Sequence, residues 1–115
     1  MMIFITGPLF SGKSDYARTL CREEELCLDA QDLAGGESDL AALADRLAAR
    51  YKVIVAAETG GGVVPIDPVQ RAQREAAGRL SCLLAARADR VVRVFCGLPM
   101  ALKGELPNTA AKEPV

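Results

Sequence analysis

The sequence predicts an α/β fold, a mostly parallel sheet of about four strands with flanking helices. Three observations predict it. Strand-like runs at residues 2–6, 25–29, 51–57 and 90–96 alternate with helical patterns, giving β-α-β-α-β-α-β. Two of these runs, MIFIT and YKVIVAA, are nearly unbroken in apolar character, as strands covered on both faces of a parallel sheet are. The first run passes straight into GPLFSGKS and then a helix, the strand–loop–helix order of a phosphate cradle.

Each element has a local reason. MIFIT, residues 2–6, is a buried strand, and residues 13 to about 22 form the first helix. ELCLD, residues 25–29, is a short second strand, and AQDLAGGE is a loop with a glycine pair. Ser38 caps a helix reaching about residue 50, with Leu40, Leu43, Ala44 and Leu47 on one face. YKVIVAA is the clearest strand of the chain. The loop ETGGGVVPIDP leads to a helix over about 69–87, whose apolar stripe is Val69, Ala72, Ala76, Leu80, Leu83 and Leu84. RVVRVFC, residues 90–96, is the fourth strand. Residues 1–103 make one domain, and 104–115 are expected to be a disordered tail.

Composition narrows the function classes. The 115 residues carry a net charge of −1, so no broad basic surface is available for nucleic acid or an anionic membrane. No apolar run approaches the roughly 20 residues of a membrane helix, and the N-terminus has no secretory pattern. The four cysteines, Cys21, Cys27, Cys82 and Cys96, show no C-x-x-C spacing, and there is no histidine to complete a zinc set. Reduced thiols in a cytoplasmic protein are expected. Any mechanism that needs an imidazole is excluded for these residues.

The stretch Gly7, Pro8, Leu9, Phe10, Ser11, Gly12, Lys13, Ser14 fits G-x-x-x-x-G-K-[ST] without a gap. Gly7 lets the chain turn out of the strand, and Gly12 lets backbone approach a phosphate with no Cβ in the way. The N–H groups of residues 10–14 can then converge on an anion. Lys13 brings positive charge to the outer phosphates, and the Ser14 hydroxyl is a hard oxygen ligand for Mg2+. Asp29 ends ELCLD and is the first candidate for a second metal ligand, with Asp32 three residues on; a turn cap is the other reading of Asp29. Glu58 follows the C-terminal end of VIVAA, where ligands of parallel sheets bind. It polarises a hydroxyl or holds metal there, or it is a solvated loop acid. Arg71 and Glu75, four apart on the third helix, favour a plain solvated face.

The C-terminal half resembles the adenosylcobinamide kinase / adenosylcobinamide-phosphate guanylyltransferase family of cobalamin biosynthesis. Glu58, Gly60, Gly62, Val64 and Pro65 match a pattern like N-E-V-G-x-G-I-V-P. Arg71, Arg74, Gly78 and Arg79 match R-x-x-R-D-x-x-G-R-x-N-Q, with Glu75 for the aspartate. Leu84, Ala85, Ala88, Asp89 and Val91 match L-A-x-x-A-D-x-V, and Gly97, Pro99 and Lys103 match G-x-P-x-x-x-K. The opening strand and P-loop resemble the family's start.

That resemblance implies a RecA-like P-loop sheet of order 2-3-1-4, placing Asp29 and Glu58 near the loop. It also implies a kinase that moves the γ-phosphoryl group of ATP or GTP, with Mg2+, to a hydroxyl of cobinamide, a corrinoid. Lys13 and Glu58 are then catalytic, Ser14 and Asp29 hold the metal, and a homo-oligomer is expected. The sequence departs from the family in three places. It is a shortened member that lacks the histidine-bearing middle segment, so the guanylyl-transfer step is expected to be lost. Ala57 replaces an asparagine, and Ser81-Cys82 replaces an Asn-Gln pair. The other reading is a nucleotide-binding module on the same fold that has lost catalysis.

Overall fold

The computed structural model describes residues 1–58 and 67–107. Five strands form one sheet in the order β2-β3-β1-β4-β5: β1 (Ile3–Gly7), β2 (Leu26–Cys27), β3 (Val53–Ala57), β4 (Arg90–Phe95) and β5 (Leu98–Lys103). The order 2-3-1-4 is present within it, and β1, β2, β3 and β4 pair in parallel. β5 is an addition to the expected four strands. It runs antiparallel to β4 at the sheet edge. Cys96 and Gly97, read as strand end and loop start, form a two-residue turn with φ of 53° and 76°. Paired positive φ values suit the right-handed twist of a hairpin, but Cys-Gly is a weaker turn signal than Asn-Gly.

Burial explains the unbroken runs. Phe4, Ile54 and Ala56 face one side of the sheet and pack against α2 (Leu40–Arg50) and α3 (Pro68–Arg87), through Leu43, Leu47, Leu80 and Leu84. Ile3, Ile5, Val53, Val55, Val92 and Val94 face the other side, against Ala17 and Leu20. With both faces covered, β3 and all of β1 except the partly exposed Thr6 call for small or apolar residues.

Several boundaries move for local reasons. The first helix, α1, spans only Lys13–Arg18. The Thr19 hydroxyl donates back to the Tyr16 carbonyl at 2.6 Å, a local bond that competes with helix continuation. β2 is two residues long, because Asp29 enters the left-handed region at φ 56° and breaks it. The expected loop after it holds a 3-10 turn over Ala30–Leu33. Asp39, not Ser38, caps α2, accepting from the Ala42 N–H at 3.0 Å. Val69 and Ala72 lie exposed, so the stripe of α3 that is fully buried is Ala77, Leu80 and Leu84. Of the expected tail, residues 104–107 are described: the Leu106 carbonyl accepts from Arg90 Nη1 at 3.4 Å, and Pro107 is buried. The glycine loop over 60–65 and residues 108–115 lie outside the described residues.

Candidate functional site

The loop between β1 and α1 carries the local geometry that its motif requires. Gly7 leaves the strand at φ 157° with its backbone pressed against β4: a Cβ there would stand 2.3 Å from the Val94 carbonyl oxygen. Phe10 and Gly12 both have positive φ, 60° and 88°. Left-handed residues within a tight loop turn successive N–H groups to one side, making an anion nest. Gly12 is also the N-cap of α1 and supplies no side-chain cap, so the first amides of the helix stay available.

Two side chains of the loop are buried although polar. Lys13 is 7 % exposed and donates from Nζ to the Pro8 carbonyl at 3.1 Å, so its ammonium lies back across the loop. Ser11 is 4 % exposed, and its Oγ has no hydrogen-bond partner. An unsatisfied buried hydroxyl costs about 1–3 kcal/mol, which a phosphate oxygen or ordered water in the loop would recover. Side chains of Leu9 and Phe10 point away from this interior, with Phe10 fully exposed. Those residues therefore contribute backbone alone to any phosphate contact.

The hairpin at the far end of β4 braces the loop. The Gly97 N–H donates to the Ser11 carbonyl at 2.7 Å. A Cβ on Gly12 would come 3.3 Å from the Gly97 Cα, so the two glycines permit this close approach. The bond ties a residue from the last block of the family pattern to the loop.

Asp29 and Glu58 occupy different surroundings. Asp29 is exposed and starts the 3-10 turn, but its side chain makes no capping bond there. It accepts from Gln31 Nε2 at 3.4 Å, and Gln31 Oε1 in turn accepts from the Ala57 N–H at 2.9 Å. The turn-cap reading of Asp29 thus has no bond to support it, and Gln31 ties the acid to the end of β3. Glu58 is fixed nearer the loop: its N–H donates to the Gly7 carbonyl at 2.9 Å. Its carboxylate is no freely solvated acid. Arg93 Nε donates to Oε1 at 2.5 Å and Nη2 to Oε2 at 3.2 Å, a bidentate pair with both side chains 34 % exposed. The Arg93 guanidinium also lies 5.3 Å from the centre of the Phe95 ring. Its hydrogen bond to Glu58 holds the Arg93 pKa above its ordinary value.

Sequence reasoning missed Arg93 and Gln31. A signal for Arg93 was present: RVVRVF places a cation inside a strand that abuts the P-loop strand. Such a charge calls for a partner. Gln31 left no signal, since its bond spans 26 positions.

A magnesium site has to be judged by its donors. Among the described residues no cluster of three or more His, Cys, Asp or Glu is placed to hold a metal. Mg2+ on a nucleotide needs none, because substrate phosphates and water fill most of its octahedron and one or two protein oxygens suffice. The hydroxyl of Ser14 in the first turn of α1 and the uncapped carboxylate of Asp29 are donors of that kind.

Comparisons with known proteins reach Asp29, Glu58 and Arg93, while the loop of residues 7–14 lies ahead of the family match. The sequence model of the family described as "Cobinamide kinase / cobinamide phosphate guanyltransferase" matches residues 27–102. The chain is 41 % identical over 80 residues to the "Bifunctional adenosylcobalamin biosynthesis protein CobP" of Pseudomonas aeruginosa. That stretch covers 70 % of this chain and 46 % of the relative, so the chain spans about half the length of the curated protein it matches.

Proposed function

The chain belongs to the cobinamide kinase / cobinamide phosphate guanyltransferase family, and on that premise we propose that it works at the kinase step alone. A hydroxyl of cobinamide attacks the γ-phosphorus of ATP or GTP. The new P–O bond forms to that hydroxyl, the bond to the β,γ-bridging oxygen breaks, the nucleoside diphosphate leaves, and the hydroxyl proton is released to solvent by way of the transferred phosphoryl oxygens. The observation that carries this reading is the P-loop with its buried Lys13 and unpartnered Ser11 hydroxyl, set beside Glu58.

Each residue then has a task. The amides of the loop and Lys13 bind the phosphates and stabilise the charge that builds on them. Lys13 moves from the Pro8 carbonyl to a phosphate oxygen, exchanging a neutral acceptor for an anionic one. Ser14 and Asp29 are the residues that would hold Mg2+, which would supply charge neutralisation at the phosphates. The bidentate contact takes two of the roughly four acceptor positions of the Glu58 carboxylate. Those remaining can orient the acceptor hydroxyl, a role that suits an already engaged carboxylate better than full proton abstraction. No histidine is present in this chain to carry a guanylyl group. The same reading includes a homo-oligomer, to be measured by sedimentation equilibrium.

The test is single-turnover transfer from γ-labelled ATP and GTP, with Mg2+, in the presence and absence of cobinamide. Label on cobinamide is the expected result. Tight nucleotide binding with neither transfer nor hydrolysis would replace the kinase by a nucleotide-binding module on the same fold.

A further inference from the structure

We infer that Arg93 sets how tightly this site takes a nucleoside triphosphate, by neutralising the carboxylate that stands at the root of the P-loop. The inference rests on the phosphate-binding reading of that loop. Arg93 lies between the third and last blocks of the family pattern, so no motif assigns it a role.

The topology gives the reason. β3 and β4 are the two neighbours of β1 in the sheet. Glu58 follows β3 and bonds through its N–H to Gly7, while Arg93 on β4 is in register with Thr6. Their bidentate contact therefore bridges β1 at the point where the loop departs. One backbone hydrogen bond holds Glu58 to Gly7, where the strand passes into the loop. Without a counter-charge it would face an incoming triphosphate as a bare anion.

Repulsion of that kind is not small in a partly buried place. One uncompensated unit charge several ångströms from a phosphate, at an intermediate dielectric, lowers affinity by about tenfold. The guanidinium removes it at source. Its planar fork matches both carboxylate oxygens, which a lysine ammonium could not do, and the Phe95 ring supports its face. Arg93 thereby permits an acid at a phosphate site, leaving Glu58 free to meet the acceptor.

The experiment is calorimetric titration of ATP and of GTP, each with Mg2+, into four proteins: the parent, Arg93→Met, Glu58→Gln and the double variant. Methionine keeps an unbranched stem over Phe95 and removes the charge, and thermal denaturation confirms that each protein is folded. Arg93→Met is expected to weaken binding by about tenfold. In the double variant, where no carboxylate is left to neutralise, affinity returns to within about threefold of the parent. Unchanged affinity in a folded Arg93→Met protein would overturn the inference while leaving the P-loop reading intact. A double variant as weak as Arg93→Met would also overturn it, because the arginine would then not act through Glu58. A parent that binds neither nucleotide would overturn the P-loop reading and this inference together.

Discussion

At the scale of the residue, the P-loop combines one strained aromatic with one buried cation. Phe10 sits at φ 60° with its ring fully exposed, so it carries backbone strain with no packing to offset it. Asparagine tolerates the left-handed region far better than an aromatic residue does. Phe10→Asn is therefore expected to raise stability by about 1 kcal/mol, read as the urea midpoint at constant slope. A lower midpoint would mean that the ring has a stabilising contact after all. Lys13 behaves oppositely. Its single bond to the Pro8 carbonyl is a weak tie for a buried ammonium, which points to binding rather than folding as its purpose. Lys13→Ala is expected to weaken triphosphate binding by roughly 10- to 100-fold, the worth of a charge-assisted contact, while leaving the fold in place. If calorimetry found the variant binding as well as the parent, the loop would not be a nucleotide site. The sequence displays both positions as members of a contiguous motif, but the left-handed φ of Phe10 and the Lys13–Pro8 bond are visible only in the structure.

Elements were legible where a periodic pattern exists and illegible where pairing decides. β1 and β3 announce themselves as apolar runs because both their faces are covered. β5 does not, since Leu98–Lys103 is mostly exposed and owes its strand state to pairing with β4. Family matches also divide once they are placed. Asp89 accepts from the Met2 N–H at 2.9 Å, tying the start of β4 to that of β1. Lys103 donates to the Ala85 and Ala86 carbonyls, both at 3.1 Å, capping the end of α3. These two matches serve the fold. Gly78, in the middle of α3, is a different case. Apart from its chain neighbours and the backbone of its own helix, no described atom lies within 4 Å of a Cβ built there, so packing among the described residues does not explain the glycine. In a helix interior glycine costs roughly 0.5–1 kcal/mol relative to alanine, and Gly78→Ala is expected to raise the thermal midpoint accordingly. Coupled assays give that substitution its meaning. A more stable protein with unchanged nucleotide affinity but weaker cobinamide binding would place Gly78 against the corrinoid. Unchanged cobinamide binding would leave it an ordinary helix fault.

For the whole molecule, the candidate site is assembled by topology more than by sequence. Glu58 and Arg93 are 35 positions apart, and only the order β3-β1-β4 brings them across the P-loop strand. A linear pattern can show that each is charged but not that they meet. The chain's titration behaviour is likewise a property of the whole. It has no histidine, the one side chain whose ordinary pKa falls between about 5 and 8. Its resolved proton-linked burial is alkaline instead. Desolvation raises the Cys27 and Cys21 thiols and the Tyr16 phenol, with nearby Asp29 adding to the rise at Cys27 and Glu25 to that at Cys21. A group whose pKa is higher in the folded state holds its proton more tightly there. Its contribution to stability is complete below the unfolded value and declines as pH climbs through the folded one. The urea midpoint is therefore expected to stay level from about pH 6 to 8 and to fall as pH rises beyond the ordinary thiol range, about 8.5 to 9. Cys27→Val, which keeps an apolar group of similar size at a buried strand position, should make that fall shallower. An equally steep alkaline fall in the variant would assign the linkage to Cys21 and Tyr16. A fall that began below pH 7 would overturn the assignment to the buried thiols, whose ordinary titration range lies above it.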